Sequence, residues 1–256
     1  MKFWEKPELS SVDALKEQIY PPEKQEDDRT VHPFIFWVFR PVSWRPTLFL
    51  HRLRISATAC TLISAVIFFA GAFVLAVAGS WFPAWAGWVL GAVLVNVYLF
   101  LDVIDGNLAR LNREATKAGE FLDCGLNALA GAVLPAVLGI GLYAAEGDWL
   151  SRLFGVPLLW LFAAGFLIAC LRLIRRVLTD HAIALAGDSD DRAKVLGESR
   201  RGPKYWAAIV NSAAFPAVIP VALIAAPSAW LAFYLAFNVA ATAYSMAWAY
   251  GRVRSA

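Results

Sequence analysis

The sequence is short of charge. Asp, Glu, Lys and Arg make up 17% of its 256 residues, against about 25% in an ordinary soluble domain. With 59% hydrophobic residues and a mean hydropathy of +0.57, this deficit excludes a soluble globular chain. Cysteine is scarce: Cys60, Cys124 and Cys170 lie inside apolar segments without metal-ligand spacing, and they read as small buried core residues. His32, His51 and His181 are scattered, and no pair has ligand spacing. Glu5, Glu8 and Asp13 interrupt the N-terminus and no apolar core precedes residue 34, so a signal peptide is not expected. No nucleic-acid partner is expected either.

What is abundant is hydrophobic length. Apolar runs of about 20 residues suffice to cross a bilayer as helices. Six spans are expected, at 55–79, 83–110, 119–145, 153–178, 204–226 and 228–250. The expected fold class is therefore all-α: an integral membrane protein with a six-transmembrane-helix bundle and an N-terminal interfacial amphipathic segment. Pro157, Pro216 and Pro220 fall within spans, where neighbouring helices can satisfy freed backbone groups. Asn96, Asn211 and Asn238 suit interhelical hydrogen bonds. The charged stretch 179–203 reads as a solvated loop.

Orientation follows from the basic residues. Arg52, Arg54, Arg110, Arg113, Lys117, Arg172, Arg175, Arg176 and the cations of 192–204 and 252–254 fall on one side; the opposite loops hold Arg152. By the positive-inside rule both termini are cytoplasmic, in the inner membrane if the cell is bacterial. Trp81, Trp85, Trp149 and Trp230 then lie at the outer boundary. Three regions result: a polar, loosely ordered cytoplasmic segment at 1–33, interfacial juxtamembrane helices at 34–54, and a membrane domain at 55–250. In the second region Arg40, Arg45, Arg52 and Arg54 alternate with apolar residues, and Pro41 and Pro46 break it into short helices.

The chemistry concentrates where the second span meets the third. Asp102, Asp105 and Ala109 are spaced i, i+3, i+7; Gly119, Asp123 and Asn127 are spaced i, i+4, i+8. Each set shares a helix face, and the short turn between them makes the two helices antiparallel neighbours. Asp102, Asp105, Asp123 and Asn127 then converge at one end of the bundle. Carboxylates in a membrane span need a reason to be there. Hard oxygen ligands suit Mg²⁺ or Mn²⁺, which such sites hold together with substrate phosphate. The competing reading is helix-end charges facing water or paired with Arg110 and Arg113. Gly106 and Ala109 remove bulk beside Asp105, either for a ligand or for close helix packing.

The stretch from Asp102 to Asn127 resembles the signature of the CDP-alcohol phosphatidyltransferase (phosphotransferase) family: Asp-x-x-Asp-Gly-x-x-Ala-Arg, eight residues, Gly-x-x-x-Asp-x-x-x-Asp. Every position agrees except the last, where Asn127 replaces Asp. Arg40-Pro-Val-Ser43 is similar to a further family segment, and Thr61 to the Thr of a motif opening the first span. The resemblance runs from about residue 35 to 250. It implies an enzyme that displaces CMP from a CDP-linked alcohol, such as CDP-diacylglycerol, with an acceptor alcohol. It further implies phospholipid synthesis, two divalent ions, a lipid bilayer around the chain, and a homodimer. Carried over, Asp102, Asp105 and Asp123, with Asn127, become metal ligands. Gly106, Ala109, Arg110, Gly119 and Thr61 become substrate-binding residues, and position 127 becomes that of the general base.

Asn127 divides the reading. An amide has no basic site at useful pH. The chain is then an altered form of an active enzyme, an enzyme with another base such as Glu120, a scaffold for metal-dependent prenyl-diphosphate chemistry, or a catalytically silent CDP-alcohol-binding homologue. Arg172, Arg175, Arg176 and Lys117 can clamp an acceptor phosphate, or simply anchor the signature end of the bundle.

Overall fold

The computed structural model describes residues 12–31, 35–78, 80–81, 83–185 and 226–255. The elements in order are α1 (Val12–Ile19), α2 (Pro22–Val31), a π-helical turn (Ile35–Phe39), α3 (Arg40–Arg52), α4 (Ala57–Ala76), α5 (Ala84–Leu111), α6 (Lys117–Ala144), α7 (Trp149–Leu153), α8 (Leu158–Leu185) and α9 (Pro227–Ser255). The protein is all-α, and α4, α5, α6, α8 and α9 are long and apolar enough to cross a membrane. The expected span at 204–226 lies outside the described residues apart from its last position, as do Pro216, Pro220 and Asn211.

Several local expectations change. Residues 12–19 and 22–31 are helical rather than loosely ordered, and Ile19 and Asp28 are buried. Pro41 and Pro46 do not break the juxtamembrane segment. Pro41 sits in the first turn of α3, where a missing N–H costs nothing, and Pro46 is accommodated inside the helix. Pro157 precedes α8 instead of lying within it, because Gly155 turns the chain with φ +62°. At its other end α8 continues to Leu185, into the stretch expected as loop. Trp230 is 3% exposed and stacks on Tyr234 at 4.6 Å, so it is a core residue and not a boundary aromatic. Asn96 and Asn238 donate within their own helices, to Ala92 and Tyr234 carbonyls. Of the cysteines, Cys60 is buried but Cys170 is exposed.

Small residues set the helix pairings, as they must where lipid removes most of the hydrophobic drive between helices. A Cβ on Gly71 would stand 2.9 Å from Leu94 Cβ, which fixes how closely α4 approaches α5. One on Gly139 would stand 2.9 Å from the Leu161 carbonyl, which does the same for α6 and α8. The main pairings are α4 with α5, α6 with α8, α8 with α9, and α4 with α6. Helices α5 and α6 do not pack side by side: α4 touches both, and long side chains bridge the gap between them. The core of Phe68, Leu75, Val95, Leu134, Leu138, Ile168 and Leu231 is continuous through the bundle.

At the end away from the signature, Asp148 caps two helices. Its carboxylate accepts from the Ser151 N–H at 2.8 Å, from the Ser228 N–H at 2.9 Å and from the Ser228 hydroxyl at 2.7 Å. Burial pushes this carboxyl up, but the hydrogen bonds together hold it below its ordinary value. A depressed folded pKa contributes stability that is complete above the unfolded value, about pH 4, and is lost as pH falls through the folded value. The thermal midpoint in detergent should lose an increment below about pH 4 that Asp148→Asn does not show. Parallel pH profiles of the two would exclude the double cap.

Candidate functional site

Tyr98, Asp102, Asp105 and Ala109 lie on α5 at spacings of four, three and four, along one stripe. Asp123 and Asn127 are one turn apart on α6. The chain passes between the helices at residues 112–116, where Arg113 adopts φ 57° and the Glu114 N–H closes the end of α5 on the Ala109 carbonyl. Thr116 caps α6 by accepting from the Gly119 N–H at 3.1 Å. The signature therefore straddles a tight turn and sends its acidic groups into the gap between α5 and α6.

Asn127 spans that gap. Its Nδ2 donates to Asp102 Oδ1 at 3.1 Å and to Asp123 Oδ1 at 2.8 Å. Its Oδ1 accepts from the Tyr98 hydroxyl at 2.7 Å. Carboxylates only accept, so this is the amide orientation that pairs each donor with an acceptor. Asp105 is held elsewhere: the Thr61 hydroxyl donates to its Oδ2 at 2.7 Å. Asp102, Asp123 and Asn127 are joined by hydrogen bonds, and Asp105, one turn from Asp102 on α5, is bonded to Thr61. Among the described residues no three His, Cys, Asp or Glu side chains form a ready cation cage. Here the Asn127 oxygen accepts from Tyr98 and its nitrogen faces the carboxylates. The donor chemistry still fits a hard divalent cation. Asp102 and Asp123 converge on one point, and the group now at that point is the positive end of an amide dipole.

Among the described residues these carboxylates form no ion pair with Arg110 or Arg113, and Asp105 is buried. Gly106 is not a helix-packing glycine. A Cβ there would meet the Arg110 guanidinium alone, at 3.7 Å. Arg110 lies over Gly106, its Nε donating to the Ile19 carbonyl at 2.7 Å and Nη2 to Asn107 Oδ1 at 2.8 Å. Lys117 and Glu120 are exposed in the first turn of α6. On α8, Arg172 bonds the Tyr234 hydroxyl of α9 and lies against Gly131 of α6; Arg175 is half-buried and Arg176 exposed. The three arginines therefore do not share one environment.

Two residues escaped the sequence reading. Tyr98 is four residues before Asp102, and a tyrosine inside a span needs a partner for its hydroxyl. Asn107 occupies a spacer position of the signature, yet it is fully buried and uses its whole amide: Nδ2 donates to Ser43 and Thr47 hydroxyls at 3.1 and 3.2 Å. A buried amide inside a span was the available signal for it.

Comparison with known proteins gives one result for this arrangement. Residues 54–250 match the family model described as CDP-alcohol phosphatidyltransferase, well over half of the chain and the whole of the acidic stretch. No curated protein matches the sequence.

Proposed function

The chain belongs to the CDP-alcohol phosphatidyltransferase family, and from that premise we propose that it transfers a phosphoalcohol group from a CDP-linked alcohol, such as CDP-diacylglycerol, to an acceptor alcohol. The family is one of membrane transferases of phospholipid synthesis and is generally divalent-metal dependent. In the reaction the acceptor oxygen bonds to the phosphorus bearing the alcohol. The bond from that phosphorus to CMP breaks, CMP leaves with the electron pair, and the acceptor proton passes to a base. The observation that carries this reading is the convergence of Asp102 and Asp123, from two helices, on one point beside Asp105.

Asp102, Asp105 and Asp123 are the residues to hold Mg²⁺ or Mn²⁺. When bound, the ions neutralise the diphosphate and stabilise departing CMP. The rest is positioning by the protein. Thr61 fixes Asp105 through its hydrogen bond. Gly106 and Ala109 give the nucleotide a face with little side-chain bulk, flanked by Arg110 and Gly119. Arg172, Arg175, Arg176 and Lys117 supply positive charge for an acceptor phosphate, Arg172 from the interior and Arg176 from the edge. Asn127 takes no proton, so Glu120, one turn before Asp123 and exposed, is the candidate base. The positive-inside rule, applied to the cation-rich ends, supports a cytoplasmic side for both termini and the signature. The working form is a homodimer.

The test is CMP release from labelled CDP-diacylglycerol with a panel of acceptor alcohols and Mg²⁺ or Mn²⁺. Release with one acceptor is expected. Absence of release together with absence of CDP-alcohol binding excludes the proposal. A second reading, a binding protein without turnover, is favoured by the Asn127 amide that satisfies two carboxylates at once. Binding without release would select it.

A further inference from the structure

The helices ahead of the family match are tied to the signature itself. Arg110, its arginine, gives Nε to the Ile19 carbonyl at the end of α1. Asn107 Oδ1 accepts from two guanidiniums, Arg110 Nη2 at 2.8 Å and Arg40 Nη1 at 2.6 Å. Both lone pairs of that oxygen are then used. Two cations sharing one buried oxygen repel each other unless a negative group stands near. Asp28 of α2 is that group: it is 2% exposed and accepts from Arg40 Nε at 2.6 Å. Arg40 also lies over the Tyr20 ring at 4.6 Å, and Ile19 packs with Leu111 at the end of α5. Residues 12–40 all precede the match, which begins at residue 54.

We infer that α1 and α2 form a clasp on the nucleotide side of the proposed site, with Asp28 and Arg40 as positioning residues for Arg110. The Arg110 guanidinium lies over Gly106, the bare position next to Asp105, with Nη1 and Nη2 at 3.7 and 3.8 Å from where a Cβ would be. Its orientation sets the shape and charge of that face. Without Asp28 the two guanidiniums lose their counter-charge, Arg40 turns away, and α1 no longer holds Arg110 through Ile19. The clasp rests on the transferase reading for its effect on nucleotide, but not for its structure.

The experiment uses the full chain in detergent, with CDP as the probe in calorimetry and amide hydrogen exchange as a second readout. Asp28→Ala should weaken CDP binding about tenfold, and Asp28→Glu should recover part of it. Combined with Arg110→Ala, Asp28→Ala should add nothing further, since both act through one guanidinium. Arg110→Ala alone should speed exchange across residues 16–31, because Ile19 loses its tie to α5. Equal CDP affinity of Asp28→Ala and the unaltered chain, or additive effects in the double variant, overturns the clasp. So does unchanged exchange across 16–31 in Arg110→Ala. Failure of the unaltered chain to bind CDP overturns the transferase reading alone, and the exchange readout then decides the clasp by itself.

Discussion

Asn127→Asp is expected to raise CMP release by about 10²–10⁴-fold, the usual worth of a positioned general base. The Tyr98 hydroxyl can donate to a carboxylate as well as to an amide oxygen, so the new side chain keeps one of its anchors. What it loses are the two N–H bonds to Asp102 and Asp123. Three carboxylates then face one point, and only a cation relieves their repulsion. Two measurements follow from one variant. CMP release with the acceptor found active should rise. The thermal midpoint in chelator should fall below that of the unaltered chain and recover on addition of Mg²⁺ or Mn²⁺. A variant that neither releases more CMP nor depends more on metal would show that position 127 does not face the reaction.

Asp105→Asn should have the opposite effect, a loss of CMP release of about 10²–10³-fold or more, as when one preorganised electrostatic group is removed. The substitution preserves shape, and Thr61 can still donate to the amide oxygen, so the buried contact survives. The thermal midpoint should therefore stay close to that of the unaltered chain while activity falls. This separation matters because Asp105 is held by Thr61, whereas the Asp102 and Asp123 pair is bonded to Asn127. Undiminished CMP release by a folded Asp105→Asn chain would restrict the reacting group to that pair.

The acidic stretch was legible because its information is local. Spacing on a helix decides which side chains share a face, and the short turn decides that two helices meet at one end. The long apolar spans were legible for the same reason, as length and composition alone define them. What the sequence did not reveal depended on partners elsewhere in the fold. Asp28 lies in a polar segment that reads as loosely ordered, and it is buried because Arg40 reaches it. Trp230 has the sequence context of a boundary aromatic, and packing of α9 into the shared core buries it. The Asn127 amide is oriented by Tyr98, 29 residues away along the chain.

From sequence alone come the helical membrane class, the resemblance carried by Asp102 to Asn127, and the missing carboxylate at its end. The first follows from periodicity and hydropathy, and the other two from residues matched to a family signature along the chain; none needs a partner to be stated. The tertiary structure decided how the acidic groups are shared out. Helix α4 packs on both α5 and α6, so those two stand apart and their side chains reach across. The same packing gives Asp105 to Thr61 and Asp102 to Asn127. It also brings Arg110 to the carbonyl of Ile19, 91 residues away along the chain. Hydrogen-bond partners that far apart are fixed by helix packing, and no spacing rule along the chain encodes them.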